Sequence, residues 1–500
     1  MKTLTFLSTT LIITILQSTV LTAPTLPSSS LSSTKQNHKR QWHHPGSIRP
    51  ITAHSTDSTD DDPYHDYIAI LSDDETRPWG EIFDEMGFST KGIKKMTHSL
   101  GVNLSGKPSY NMTSYDMNSI KTFGKNLRAF TINMRESDAE GMDGNPSLAS
   151  LEKMKMREWA FVPGSVKVLP SSPTVRRRRG VAGLRLTKRQ DDMTWIQQGN
   201  APWNLQRLSS EHKIDAKGRQ PTDLTYNYRF DEAAGKGVDV YVVDSGINVD
   251  HLELQGRARM MFSYFGKVND DVGHGTHCAG TIAALHYGVA KNVNIWGIKV
   301  GDSTSGINGE AIVAGIDAAI SRHNQRKNQT DFMGSVISMS IGTAPPQQSD
   351  FMILKKAVEA GMHVSVAAMN SATDACNFSP GAFSQQIPII NVGAADIDDT
   401  RAPFSNFGKC VDIYAPGVSI VSTFNNNATG IASLDGTSMA CPAVTGIIAD
   451  ELVKNPKLRL DPAAMKKHIL GKALKGVIKA DNVISSSELM AYNGFPGDPA

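Results

Sequence analysis

Short runs that are almost continuous in Val and Ile alternate with longer stretches of helical periodicity over the second half of the chain. Residues 238–243, 293–300, 336–339, 363–367 and 389–392 are the apolar runs, and residues 310–319, 350–360 and 438–453 are the helical segments between or after them. Strands that are apolar on successive residues are buried on both faces. The pattern therefore predicts an α/β fold, a parallel sheet with helices on both sides. Upstream, residues 67–71 and 127–132 read as strands, and Asn145-Pro146-Ser147 reads as a helix start continued by Leu148, Leu151 and Met154. Residues 164–169 read as a final strand, which completes a small ferredoxin-like α+β unit of β-α-β-β-α-β order over residues 64–170.

The segments outside these two patterns carry processing signals. Met1 and Lys2 precede an apolar stretch, interrupted by Ser and Thr, that runs to Ala23. A core helix or a membrane anchor are the other readings, but the polar interruptions weaken an anchor, and residues 1–23 are expected to be a signal peptide. Residues 24–63 are rich in Ser, Thr, His and Pro and close on an acidic run. They bury too little apolar surface to offset their ordering entropy and are expected to be a disordered spacer. Between the two folded patterns, residues 171–189 hold the basic runs Arg176 to Arg179 and Lys188-Arg189. A basic run is commonly a solvated face; in a Pro- and Ser-rich linker of a secretory chain, proteolytic processing is the stronger expectation. That leaves residues 190–500 as one large domain.

Composition narrows the function. The chain has 500 residues, 40% hydrophobic and 20% charged, which excludes collagen-like, coiled-coil and wholly disordered classes. A net charge of +2 offers no global field for nucleic acid or an anionic membrane. No later apolar run is long enough for a membrane span, so the processed chain is expected to be soluble. Four cysteines permit a bridge or two but no disulfide scaffold.

Three islands carry chemistry. Val242-Val243-Asp244-Ser245-Gly246 puts a carboxylate at the carboxyl end of a strand, the edge where open α/β sheets build sites. Gly273-His274-Gly275-Thr276-His277-Cys278 opens a helix with small residues; its two histidines lack the glutamate and third ligand that a zinc site needs. Gly436-Thr437-Ser438-Met439-Ala440-Cys441-Pro442 places a serine at a helix start, where free N–H groups and the positive helix end face any anion that forms beside it. A serine hydroxyl needs an imidazole to take its proton, and the imidazole needs a carboxylate to fix its tautomer.

With Asp244, His274 and Ser438 in that order, these islands resemble the subtilisin-like serine peptidases, most closely the branch of proteinase K and the fungal vacuolar peptidases. The likeness runs from Ala201-Pro202-Trp203 to Tyr492-Asn493-Gly494. It implies that Asp244 orients the base, His274 is general base then acid, and Ser438 attacks the scissile carbonyl. Val366-Ala367-Ala368-Met369-Asn370 resembles the oxyanion strand, which makes Asn370 the side-chain donor. Ser340, Ile341 and Gly342 resemble one wall of the primary specificity pocket, Ala367 and Ala368 the other, and Ser305 and Gly306 an edge that pairs with extended substrate. Recognition through the backbone implies broad specificity.

Three positions depart from the family pattern: Met369 in place of Gly, which would narrow the pocket or displace Asn370, Thr343 in place of a second Gly, and Ala443 in place of His. The resemblance further implies a Cys376–Cys410 bridge and a buried free thiol at Cys278, with a Cys278–Cys441 bridge left open. It also implies a structural calcium site at Asp412, although the chemistry itself requires no cofactor. The small domain resembles, more loosely, the family's inhibitor-like propeptide, which templates folding and leaves its final strand in the cleft. Here the tail after residues 166–169 would fill that role, with the first cut near residues 170–190, either autocatalytic or made by a dibasic-directed enzyme.

The expected protein is thus a monomeric, secreted endopeptidase acting on proteins and peptides, or its vacuolar counterpart. Its own propeptide is its inhibitor, it binds no nucleic acid, and it leaves the membrane once the signal is removed. Sequons at Asn103, Asn111, Asn328, Asn377 and Asn427 permit glycosylation, with Asn377 shielded beside the bridge. Two other readings stand beside this one: a non-catalytic binding protein on the same scaffold, and a polyanion binder that keeps Arg176 to Arg179 after maturation.

Overall fold

The computed structural model describes residues 63–86, 88, 95–102, 108–115, 120–171, 184–190, 193–478 and 487–496. The signal peptide, the spacer up to residue 62, the run Arg176 to Arg179 and Asn103 lie outside the described residues.

The small N-terminal domain runs β1 (Tyr64–Leu71), α1 (Trp79–Glu85), β2 (Lys95–Val102), β3 (Pro108–Tyr115), β4 (Lys121–Phe123), β5 (Ala129–Arg135), α2 (Glu136–Gly141) and β6 (Leu148–Lys153). These strands form one antiparallel sheet of order β2-β3-β4-β5-β1-β6. The period-2 alternation of β1 divides its side chains between two cores. Tyr67, Ala69 and Leu71 pack with Ile82 and Phe83 of α1, whereas Ile68 and Ile70 join the core of the larger domain.

The helix expected from Asn145 onward is instead β6, the edge strand beside β1. Leu148 and Leu151 stand three apart, a helical spacing. A register shift between Ile70 and Leu71 nevertheless brings both onto the same core face of a strand. The strand expected over 164–169 does not complete this sheet. Only β8 (Lys167–Leu169) is extended, and it pairs with a hairpin of the larger domain.

Between these lies the two-residue strand β7 (Glu158–Trp159), followed after β8 by β9 (Leu184–Gln190), β10 (Met193–Ala201), α3 (Trp203–Leu208) and β11 (Tyr226–Asp231). Lys188-Arg189 thus sits inside β9, paired with Trp195 and Thr194 of β10. The first half of the main sheet comprises β12 (Val238–Asp244), β13 (Ala258–Ser263), α4 (His274–Ala283) and β14 (Asn294–Lys299), then the short hairpin β15 (Gly301–Asp302) and β16 (Gly306–Ile307), and α5 (Gly309–Arg326). The second half comprises β17 (Gly334–Met339), β18 (Ile341–Gly342), α6 (Gln348–Glu359), β19 (His363–Ala367), β20 (Ile390–Ala395) and β21 (Ile413–Pro416). It closes with the hairpin β22 (Ile420–Thr423) and β23 (Ile431–Leu434), then α7 (Thr437–Lys454) and α8 (Pro462–Lys472).

The seven-stranded sheet has the order β13-β14-β12-β17-β19-β20-β21, and its pairings are parallel. Alternate residues of β12 feed the cores on its two faces. Val238, Val240 and Val242 join α4 and α7, while Tyr241 and Val243 join α5 and α6. The chain leaves β12 toward β13 and β14 on one side and later toward β17 on the other. The carboxyl end of β12 is therefore the switch point at which such sheets open a crevice.

The small domain docks on α5 and α6 through both polar and apolar contacts. Asp317 of α5 accepts the backbone N–H groups of Lys125 (2.7 Å), Asn126 (2.7 Å) and Leu127 (3.1 Å). Glu152 accepts those of Gln348 (2.7 Å) and Ser349 (2.8 Å), satisfying free donors at the start of α6 and complementing its positive end.

Candidate active site

Asp244 closes β12 at the switch point and His274 opens α4, so strand end and helix start bring together residues that are thirty apart. His274 Nδ1 lies 2.7 Å from Asp244 Oδ1, with both side chains buried. The loop that presents His274 is held by Asp270, a residue without any motif of its own. Its Oδ1 accepts from Ser245 Oγ (2.8 Å), Val272 N–H (3.1 Å) and Gly273 N–H (2.8 Å), and its Oδ2 accepts from Thr276 N–H (2.9 Å) and Thr276 Oγ (2.6 Å). His277 takes no part: its Nε2 lies 3.0 Å from the Ile420 carbonyl, and burial pushes its imidazole down to about 3.

Ser438 is the second residue of α7, where backbone N–H groups have no partner within the helix. Its N–H donates instead to the carbonyl of Ala160 at 2.7 Å. Its hydroxyl donates to the Ser340 carbonyl at 3.1 Å, while His274 Nε2 is buried without a hydrogen-bond partner. The Trp159 and Phe161 rings flank the imidazole, each with its centroid 5.2 Å away. Pro442 cannot donate to the Ser438 carbonyl four residues back. That carbonyl accepts instead from Ser340 Oγ (3.2 Å) and Cys278 Sγ (3.5 Å), which ties the nucleophile's backbone to two neighbouring segments.

The peptide over Ser438 belongs to the stretch that leaves the small domain. Glu158 and Trp159 pair antiparallel with Gly342 and Ile341, and Ala160 N–H donates to the Ser340 carbonyl at 3.0 Å. On the other side Arg157 bridges to Ile307, one residue beyond Gly306 and two beyond Ser305, so the expected edge is displaced slightly along the hairpin. Thr343 Oγ donates to the Met156 carbonyl at 2.6 Å, and Val162 N–H donates to the Asp435 carbonyl at 2.8 Å beyond the nucleophile. Gly436 permits this approach, because a Cβ there would come within 2.5 Å of the Ala160 carbonyl oxygen. The peptide bond presented to Ser438 is thus Ala160–Phe161. Lys167–Leu169 run beside β23, and the tail after them, expected in this place, lies outside the described residues from 172 to 183.

Asn370 follows β19, directly after Ala367, Ala368 and Met369. Its Oδ1 accepts from Thr437 N–H and Thr437 Oγ, both at 3.0 Å, which turns the amide nitrogen away as a buried donor without a partner. Met369 takes a left-handed φ of 73°, a conformation that costs a non-glycine residue about 1–3 kcal/mol. Thr437 Oγ accepts its N–H at 3.1 Å and Asn406 N–H donates to its carbonyl at 3.0 Å. Its sulfur packs against Gly342, where a Cβ would approach to 2.8 Å. Ala443 is buried in the core between α7 and the sheet.

Cys376 and Cys410 form a disulfide across 34 positions, a loop closure worth about 3–4 kcal/mol in the chain-entropy model. Cys278 and Cys441 are free thiols, both raised in pKa by burial. Asp412 does not fit the implied calcium. Its Oδ1 lies 2.8 Å from Lys466 Nζ, which also donates to the Ser384 and Ile389 carbonyls at 2.8 Å each, so an ammonium already takes up the oxygens a cation would use. Asn328, Asn377 and Asn427 are exposed, so the bridge does not shield Asn377; Asn111 lies in β3.

Sequence reading missed Asp270, Thr437 and the stretch 156–162. Each acts by accepting or offering backbone hydrogen bonds, for which short polar residues and an irregular strand leave no spacing signature.

A family profile described as the subtilase family matches residues 235–490. Alkaline protease 2 of Aspergillus fumigatus is 37% identical over 316 residues, 59% of this chain and 60% of that protein. Cerevisin of Saccharomyces cerevisiae is 37% identical over 317 residues, 59% of this chain and 47% of that protein. The matched region thus spans about half to three fifths of the length of these relatives. The crystal structure of a cold-adapted subtilisin-like serine proteinase superposes with a TM-score of 0.51 at 31% identity, covering 59% of this chain and 99% of that one.

Proposed function

The chain belongs to the subtilase family, and from that premise we propose that it is a serine endopeptidase of broad specificity made as an autoinhibited proprotein, whose first self-cleavage falls at Ala160–Phe161. The observation that carries this reading is the Ala160 carbonyl seated 2.7 Å from Ser438 N–H while Ala160 N–H is held on Ser340. A carbonyl fixed beside a helix-start serine is positioned for attack once the hydroxyl turns toward it.

For reaction, the Ser438 hydroxyl swings from the Ser340 carbonyl to donate to His274 Nε2. Its oxygen bonds to the Ala160 carbonyl carbon as the proton passes to Nε2, and Asp244 stabilises the resulting imidazolium through Nδ1–H. The negative charge on the Ala160 oxygen is met by Ser438 N–H and by the amide nitrogen of Asn370, which Thr437 holds ready. Collapse returns the proton from Nε2 to the Phe161 nitrogen, breaks the Ala160–Phe161 bond and leaves Ala160 esterified to Ser438 for hydrolysis by water. Until then the enzyme is latent: its hydroxyl is engaged elsewhere and its imidazole is covered by Trp159 and Phe161.

A first cut here lies upstream of both basic runs. Cleavage at Lys188-Arg189 would require β9 to unpair from β10 before a protease could bind it as an extended strand. We assign the small domain the role of inhibitor and folding template, on the strength of its docking to α5 and α6. Secretion, with vacuolar delivery as the other destination, a monomeric state and glycosylation at Asn328, Asn377 and Asn427 complete the reading. Among the described residues no helix is long and apolar enough to cross a membrane. Lys466 replaces calcium at Asp412. The engagement of Ser438 Oγ with Ser340 favours a second reading, a non-catalytic binding protein on the same scaffold.

Expression of the wild-type chain beside Ser438→Ala decides between them. The expected result is a fragment beginning at Phe161 from the wild type alone, with Ser438 labelled by a serine-directed phosphonate. Uncut wild type without labelling would refute the peptidase reading, and cutting of both chains at the same bond would refute self-cleavage and assign the cut to an external enzyme.

A further inference from the structure

Arg157 is the fourth residue before the bond that lies over Ser438, and its side chain is 2% exposed. A guanidinium in a nearly water-free pocket is costly unless it is paired. Here its Nη2 lies 2.6 Å from Oδ1 of Asp350, a carboxylate that is itself 0% exposed. The second oxygen of Asp350 accepts from Ser379 Oγ at 2.7 Å, which fixes the carboxylate plane toward the arginine. Gly309 supplies the remaining room, since a Cβ there would stand 2.3 Å from Arg157 Nη1. The backbone is aligned as well, by the bridge from Arg157 to Ile307.

The pocket walls belong to the peptidase domain, whereas Arg157 belongs to the segment that self-cleavage releases. Once that segment leaves, a carboxylate remains at the bottom of a pocket shaped for a guanidinium and without its cation. A buried charge left unpaired is a strong discriminator. A substrate carrying arginine in the same place restores the pair, and one carrying an apolar side chain leaves the carboxylate stranded.

We propose that Asp350 is the specificity-determining residue of the subsite for the fourth residue upstream of the scissile bond, and that this subsite selects arginine. The inference rests on the peptidase reading above and narrows its substrates. Backbone pairing admits many sequences, and Asp350 ranks them by one side chain.

The test uses the full chain, expressed and left to mature, with active enzyme counted by phosphonate titration of Ser438. Fluorogenic peptides X-Glu-Trp-Ala-Phe-Val-Pro-Gly are offered with X as Arg, Lys, Leu or Glu. The expected order of kcat/KM is Arg above Lys, then Leu, then Glu, with Arg over Leu by about 10²-fold. In Asp350→Asn and Asp350→Leu the ratio of Arg to Leu should fall toward unity, and Asp350→Glu should restore part of it. A pocket that is merely structural would change the rate on all four peptides together. Cleavage of the Arg and Leu peptides at equal rates by the wild-type enzyme overturns the inference while leaving the peptidase reading intact, and this arm needs no variant to fold. Absence of cleavage of every peptide, together with absence of phosphonate labelling, overturns both.

Discussion

Asp270 makes the sharpest test of how the site is held, because its contribution can be worked bond by bond. The Asp270→Ala substitution removes the acceptor for three backbone N–H groups, those of Val272, Gly273 and Thr276, and for the hydroxyls of Ser245 and Thr276. The hydroxyls can rotate to other partners, but the backbone donors cannot. A buried donor left without a partner costs about 1–3 kcal/mol. Two of the three lie closest to the carboxylate, Gly273 at 2.8 Å and Thr276 at 2.9 Å, so a loss of about 3–5 kcal/mol is expected. Asp270→Asn keeps an acceptor for one side of the loop and presents an N–H₂ group to Thr276 on the other, so roughly half of that loss should remain. Thermal unfolding of each variant in a Ser438→Ala background avoids self-digestion, and about 2 °C per kcal/mol is expected for a domain of this size. In the active background, phosphonate labelling of Ser438 should slow in the same order, since the same loop sets the position of His274. A melting temperature for Asp270→Ala within a degree of the parent, with unchanged labelling, would refute the claim that this carboxylate organises the loop.

Two further expectations follow from the geometry. Asn370→Ala should lower kcat by about 10²–10³ with little change in KM, read from steady-state kinetics on a peptide substrate; that magnitude is carried over from the corresponding donor of a subtilisin. An unchanged kcat would mean that the amide does not face the developing charge. Acid should destabilise the fold as pH falls from about 6.5 toward 4, because burial pushes His277 down to about 3 and His323 and His363 each to about 4. The unfolded chain takes up protons that the folded chain refuses. Three such groups give a slope of up to ~4 kcal/mol per pH unit, offset in part where Asp450, raised by burial to about 6, is protonated in the folded state. Unfolding of Ser438→Ala at stepped pH measures it, and a flat stability across that interval would be the contrary result.

Much of the main domain was readable because a strand buried on both faces must be continuously apolar. The five apolar runs became β12, β14, β17, β19 and β20 with their ends shifted by at most three residues. The small domain was harder to read. Leu148 and Leu151 suit a helix or a bulged strand equally well, and only the presence of β1 alongside, with its register shift at Ile70, decides for the strand. Nor did spacing mark the stretch that lies over Ser438. Residues 166–169 are the more regular strand former, but Glu158 to Ala160 are the residues whose backbone meets Ser340, Ile341 and Gly342.

Sequence by itself determined the fold class, singled out Asp244, His274, Asn370 and Ser438 as candidates, and, through family likeness, implied the pairing of Cys376 with Cys410. It could do so because each of these sits in a short run whose residue types are dictated by local backbone chemistry. Tertiary structure alone decided which peptide bond lies over Ser438, that the hydroxyl rests on Ser340 while His274 is covered, that Lys466 fills the place of a cation beside Asp412, and that a buried carboxylate at Asp350 meets Arg157. Those outcomes depend on the distance and burial of groups far apart in the chain. A charge or a hydrogen bond acquires its strength from its surroundings, which the fold assembles and the order of residues does not spell out.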